Sequence, residues 1–112
     1  MCSEAQFERM LREIVSCYRE LFGDAVEGVY LYGSYARGEQ DAQSDVDLVA
    51  VVHGDRQSLQ HKLLGLWDRS AELSLDYDLV ISPTVVPYDE FQRYRDSLPY
   101  YRSIASEGRK VG

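Results

Sequence analysis

Gly28-Val29-Tyr30-Leu31-Tyr32-Gly33-Ser34, then ten residues, then Asp45-Val46-Asp47-Leu48-Val49-Ala50-Val51-Val52-His53, is the stretch that decides the fold. In its first part β-branched and aromatic residues run straight into a glycine, the pattern of a strand ending in a tight turn. In its second part Val46, Leu48, Ala50 and Val52 alternate with Val49 and Val51, so beyond Asp47 both faces are apolar and the strand belongs in the middle of a sheet. Asp45 and Asp47 stand two residues apart, which on an extended strand sends both carboxylates out of one face, where they can share one or two divalent cations. The connection over residues 34–44 is polar, with room for one short helical turn. Such a link allows either a parallel or an antiparallel pair, and pattern does not choose between them.

Upstream, Ser3-x-x-Gln6 is a capping-box pattern. After it Phe7, Met10, Leu11, Ile14, Cys17, Tyr18 and Leu21 recur at helical spacing until Gly23 offers a stop. Downstream, Gly54-Asp55 starts a second helix with Leu59, Leu63, Leu66, Trp67 and Ser70 on one side. Leu75 to Ile81 then reads as a third strand, and Pro83 and Pro87 punctuate the descent into two short helices, the second running from near Pro99 to a stop at Gly108. The order is that of an α/β or α+β fold with a small sheet, and 112 residues with 45% apolar content predict one domain, 1–112.

The formal charge of −7 argues against broad nucleic-acid binding, which draws its affinity from lysine and arginine neutralising phosphates. Arg93, Arg95, Arg102, Arg109 and Lys110 gather late in the chain, mixed with Asp89, Glu90 and Glu107, as on an ordinary solvated face. Cys2 and Cys17 lie at no zinc-site spacing and predict reduced thiols. The polar, acidic start and the lack of any run of about 20 apolar residues predict a cytoplasmic chain that neither enters nor crosses a membrane.

The carboxylates carry the chemistry. Asp45 and Asp47 on their own could cap a helix or open a turn, but Leu75-Asp76-Tyr77-Asp78-Leu79-Val80-Ile81 again sets acids where a strand should carry apolar side chains. Acids at such positions are seldom buried without a partner. Two like charges about 4 Å apart repel by roughly 4 kcal/mol at an effective dielectric near 20. Three carboxylates converging from neighbouring strands therefore call for a cation, and Mg²⁺ suits best as a hard ion that leaves positions open for substrate phosphates. Gly33 lets the backbone approach a phosphate, and Ser34 and nearby N–H groups can donate to its oxygens. Arg37 either meets the outer phosphates or pairs with Glu39 or Asp41. Ser44 caps or orients Asp45.

Together Gly33-Ser34-Tyr35-Ala36-Arg37-Gly38 and Ser44-Asp45-Val46-Asp47-Leu48 resemble the signature of the nucleotidyltransferase superfamily that includes DNA polymerase β and kanamycin nucleotidyltransferase. The chain is most similar to the minimal nucleotidyltransferases paired with HEPN proteins as antitoxins. The leading helix, the acid before Leu79-Val80 and the late Ile104-Ala105-Ser106-Glu107-Gly108 extend the likeness over nearly the whole length. The resemblance implies a small mixed sheet with helices packed on one side, and ATP or another nucleoside triphosphate as substrate. It implies that Gly33 and Ser34 hold the β and γ phosphates, that Asp45 and Asp47 ligate two Mg²⁺ ions, and that Asp78 ligates the catalytic metal, with Asp76 the alternative. Tyr35 departs from the family, many of whose members carry a basic residue there.

The implied reaction is attack of an acceptor hydroxyl on the α-phosphate with release of pyrophosphate. So short a chain must recruit its acceptor, and a HEPN-type partner protein is the natural candidate, in a hetero- or homo-oligomer. The alternatives are a binding module that neutralises its partner by docking alone, and nucleotidyl transfer to a small molecule or an RNA end.

Overall fold

A computed structural model describes residues 3–38 and 45–112, so Cys2, Glu39, Asp41 and Ser44, and the side chain of Ser34, lie outside the described residues. The capping box is formed as expected: the Ser3 hydroxyl accepts from the Gln6 N–H at 3.2 Å and Gln6 Oε1 accepts from the Ser3 N–H at 2.7 Å. Helix α1 runs over Glu4–Phe22 and ends at Gly23, followed by a 3₁₀ turn and strand β1, Val26–Tyr32. A single turn, α2 (Ser34–Arg37), leads towards strand β2, Val46–Val52. After Asp55, which caps it through the Ser58 N–H at 2.9 Å, helix α3 covers Arg56–Tyr77. Strand β3 (Ile81–Pro87), helices α4 (Tyr88–Tyr94) and α5 (Pro99–Glu107) and the two-residue strand β4 (Arg109–Lys110) complete the order.

The strands form a sheet in the order β3-β2-β1-β4. The choice left open by pattern resolves as antiparallel for β1 with β2, while β2 and β3 run parallel and β4 pairs antiparallel with β1. Strand β2 is central, as its two apolar faces require. Val46, Leu48, Ala50 and Val52 pack with α1 and α3 in the larger core, and Val49 and Val51 meet Phe91, Tyr101 and Ile104 of α4 and α5 on the other face. The long helices thus lie on one side, and the two short ones add a partial cover on the other.

One element is corrected. Leu75 to Ile81 is not a strand: α3 continues to Tyr77, and the third strand lies six residues later than expected, at Ile81–Pro87. Leu73, Leu75, Tyr77 and Leu79 alternate like a strand, but the helical series Leu59, Leu63, Leu66, Ser70 also continues to Leu73 and Tyr77, which pack against the core, while Leu75 stays 85% exposed. The 3.6-residue period outcompetes the two-residue one because it extends an existing helix and buries two more side chains. Asp78 then closes α3 in the left-handed conformation (φ 54°), donating its N–H to Ser74. Aspartate visits that region more readily than most residues.

Pro83 and Pro87 are therefore strand residues, tolerated because β3 is an edge. Even-numbered residues of β3 bond to β2, as the Val46 N–H does to the Val80 carbonyl at 2.7 Å, so odd-numbered ones face outward. Along that rim Ile81 donates to Ser74 Oγ at 3.1 Å, and the Pro83 carbonyl accepts from Trp67 Nε1 at 3.2 Å. Pro83 and Pro87 have no N–H to offer.

The buried Tyr18 hydroxyl on α1 donates to the Thr84 carbonyl at 2.7 Å, tying helix to sheet. Tyr18→Phe is expected to cost about 1 kcal/mol, seen as a lower urea midpoint with an unchanged slope.

Candidate active site at the carboxylate end of the sheet

The carboxyl end of β1 and the amino ends of β2 and β3 come together at one end of the sheet. There Tyr32 is paired with Asp47, and Asp47 with Ser82. Directly paired residues share a face, so Tyr32, Asp47 and Ser82 form a row, with Asp45 one outward step further along β2. Asp45 is exposed and Asp47 is half-buried. Burial, and after it the charge of Asp45, push the Asp47 carboxyl above its ordinary value. The two acids are brought together as expected, and the face they occupy is the one that α4 and α5 cover only in part.

Gly33 is held at φ 75°, a conformation that favours glycine, and a Cβ placed on it would come within 2.6 Å of Asp47 Oδ2. The turn after β1 therefore lies against the carboxylate itself. Gly33 and Asp47, fourteen residues apart in the sequence, lie against one another in the fold. Arg37, at the end of α2, forms an ion pair with Glu107 of α5 at 3.5 Å. Glu39 and Asp41, its expected partners, lie outside the described residues, as does Ser44. Tyr35, the departure from the family pattern, stacks on Phe7 of α1 with ring centroids 5.1 Å apart, which ties α2 to the main core.

Asp76 and Asp78 do not join the pair. Asp76 is exposed on α3 and Asp78 caps that helix, and among the described residues no three His, Cys, Asp or Glu side chains are grouped to hold a metal ion. The strand position beside Asp47 belongs to Ser82 instead.

Sequence reading missed a cluster of hydroxyls next to the carboxylates. Tyr32 Oη and Tyr100 Oη are 3.3 Å apart with their rings edge to face, and Tyr100 Oη is 3.5 Å from Thr84 Oγ1, which donates to the Leu48 carbonyl at 2.9 Å. Burial, and then the bond to Tyr100, push the Tyr32 phenol well above its ordinary value, so it stays protonated. The signal available was the position of Tyr32 immediately before Gly33. Its relation to Tyr100, 68 residues away, exists only in the fold.

Chemically, the arrangement offers two carboxylates of hard oxygen character, a glycine turn with backbone groups close to them, and neutral hydroxyl donors alongside. The family model described as a nucleotidyltransferase domain matches residues 11–111. Two relatives from Methanocaldococcus jannaschii bear the name "Putative protein adenylyltransferase". One, MJ0604, is 26% identical over 91% of this chain and 94% of its own length. The other, MJ0141, is 33% identical over 68% of this chain and 75% of its own length. Among solved structures, a toxin–antitoxin complex with AMP-PNP superposes with a TM-score of 0.57 at 16% identity, over 94% of this chain and 72% of that one. By signature, by fold and by the extent of these matches, the chain belongs to the nucleotidyltransferase domain family.

Proposed function

We propose that this protein transfers AMP from ATP to a hydroxyl of a protein acceptor. The observation that carries the reading is the Asp45–Asp47 pair at the start of β2 with the Gly33 turn packed on Asp47. In phosphoryl-transfer chemistry the protein's work is positioning and charge stabilisation. Backbone N–H groups at Gly33 and Ser34 hold the outer phosphates, and Arg37 lends positive charge to them. The carboxylate pair fits Mg²⁺, an ion that binds through one or two carboxylates and completes its shell with waters and substrate phosphates. When bound there, by Asp45 and Asp47, it would supply neutralisation of charge on the phosphate oxygens. The acceptor oxygen attacks the α-phosphorus and pyrophosphate leaves on the opposite side.

The names of the two relatives support a protein acceptor, and the acidic surface offers little to a nucleic acid. A solved structure described as a tri-AMPylated Shewanella oneidensis HEPN toxin in complex with MNT antitoxin shares the fold at a TM-score of 0.52, and supports a HEPN-type partner here.

Incubation with labelled ATP, Mg²⁺ and the product of the neighbouring gene should label that partner. Failure under conditions where a related enzyme succeeds would count decisively against the reading. A variant carrying both Asp45→Asn and Asp47→Asn should lose the labelling. If that variant still neutralises the partner, docking alone is the function.

We infer a lesser part for Asp78, which caps α3. Asp78→Asn is expected to lower transfer less than tenfold, and a loss as deep as that of Asp47→Asn would return it to the metal ligands.

A further inference from the structure

Nine tyrosines are spread through the chain, and their surroundings separate them. Tyr18 is buried and bonded to a carbonyl, and Tyr101 is buried and donates to Glu90. Tyr77 donates to Glu13 and Tyr88 is bonded by Gln92. Tyr100 differs, combining 42% exposure with a hydroxyl held over the carboxylate-bearing face of the sheet.

Its place follows from three contacts. Tyr32 is the cross-strand partner of Asp47, so its ring rises from the same face. Thr84 is the partner of Val49, two residues along β2 from Asp47 and hence again on that face. Tyr100 Oη lies 3.3 Å from Tyr32 Oη and 3.5 Å from Thr84 Oγ1, which sets it above β2 in the interval between Asp47 and Val49. Pro99 opens α5 immediately before it, fixing the backbone from which the ring projects. The edge-to-face packing against Tyr32 and Tyr101 orients the ring further. A phenol is a hydroxyl of the kind that the proposed reaction consumes, and this one is delivered to the Asp47 side of the open face by the chain's own fold.

We propose that Tyr100 is itself an adenylyl acceptor, modified by the site of its own chain. The inference rests on the transferase reading above and adds an acceptor to it. In the step, the Tyr100 phenolic oxygen bonds to the α-phosphorus of ATP, the bond from that phosphorus to the bridging oxygen breaks, and pyrophosphate departs with its electron pair. The phenolic proton leaves to water, to which Tyr100 is open. The product carries one AMP as a phosphodiester on Tyr100 and places a nucleotide over the same face as Asp47, so modification limits itself to one group per chain.

The test is intact-mass measurement of the full chain after incubation with ATP and Mg²⁺, followed by peptide mapping. One added adenylyl group located on Tyr100 is expected, with at least a tenfold loss of the adduct in Tyr100→Phe. Mapping is done on the unsubstituted protein and does not depend on the variant folding. Pyrophosphate release and labelling of the partner are measured in parallel. An adduct on another residue, or none while either parallel activity persists, overturns the assignment of Tyr100 and leaves the transferase reading standing. No adduct together with neither parallel activity overturns both.

Discussion

Asp47→Asn is expected to abolish transfer and stabilise the protein at once. The loss of rate should be about a thousandfold, since the carboxylate pair is assigned several kcal/mol of charge stabilisation and each 1.4 kcal/mol is a factor of ten. The gain in stability follows from the raised Asp47 carboxyl, half-buried and facing the charge of Asp45. An acid whose folded value lies above its unfolded one destabilises the fold wherever it is ionised. That penalty is present at pH values above the folded value and fades as pH falls through it towards the unfolded one. Removing the half-buried charge relieves its burial cost first and the repulsion from Asp45 second, and with solvent screening the two together come to about 1 kcal/mol, which for a chain of this size is a melting temperature higher by about 4 °C. Thermal melts of the metal-free protein at neutral pH and again in the acid range provide the check: the difference between variant and parent should shrink as Asp47 becomes protonated. A variant that melts below the parent at neutral pH would show that the carboxylate is held by structure rather than for function.

Gly33→Ala should be the second costly change, through geometry. A side chain at φ 75° costs about 1–2 kcal/mol in backbone strain, and its Cβ cannot sit 2.6 Å from Asp47 Oδ2. Either the turn or the carboxylate must move, and misplacement of a catalytic group by about 1 Å can cost a hundredfold in rate. The same exchange made on an Asp47→Ala background should cost less stability, by at least about 0.5 kcal/mol, because the oxygen that it strikes is gone. Equal costs in the two backgrounds would show that the strain is local to the turn and that Gly33 and Asp47 act independently.

The sequence displays the parts of this site that are local. Helix α1, with its capping box and stop, strands β1 and β2, and the facing of Asp45 and Asp47 all follow from near neighbours and periodicity. The third strand is hidden in the sequence because Leu73 to Leu79 satisfies two periods, and only packing of Tyr77 and Leu73 on the core decides between them. That single shift took Asp76 and Asp78 off the sheet and put Ser82 beside Asp47. The hydroxyl cluster was invisible for a different reason. Tyr32, Thr84 and Tyr100 belong to β1, β3 and α5, and nothing in their spacing reveals that three elements meet over β2. Strand β4, two residues long, carries no periodic signal at all and is defined only by its pairing with Tyr30 and Leu31.

The outer rim of β3 decides from which direction company can arrive. Two of its outward positions are prolines, Ile81 spends its N–H on Ser74, and Trp67 lies across the Pro83 carbonyl. A visiting strand would find almost nothing there to zip onto, so the sheet cannot be lengthened on that flank by a stray segment of another protein or by a sister molecule. On the proposed transferase reading, an acceptor presented in extended form gains no ladder at this rim, and the open face beside Asp47 receives it through side-chain contacts. The rim thus acts as a guard rail, refusing the easiest kind of docking along the β3 flank.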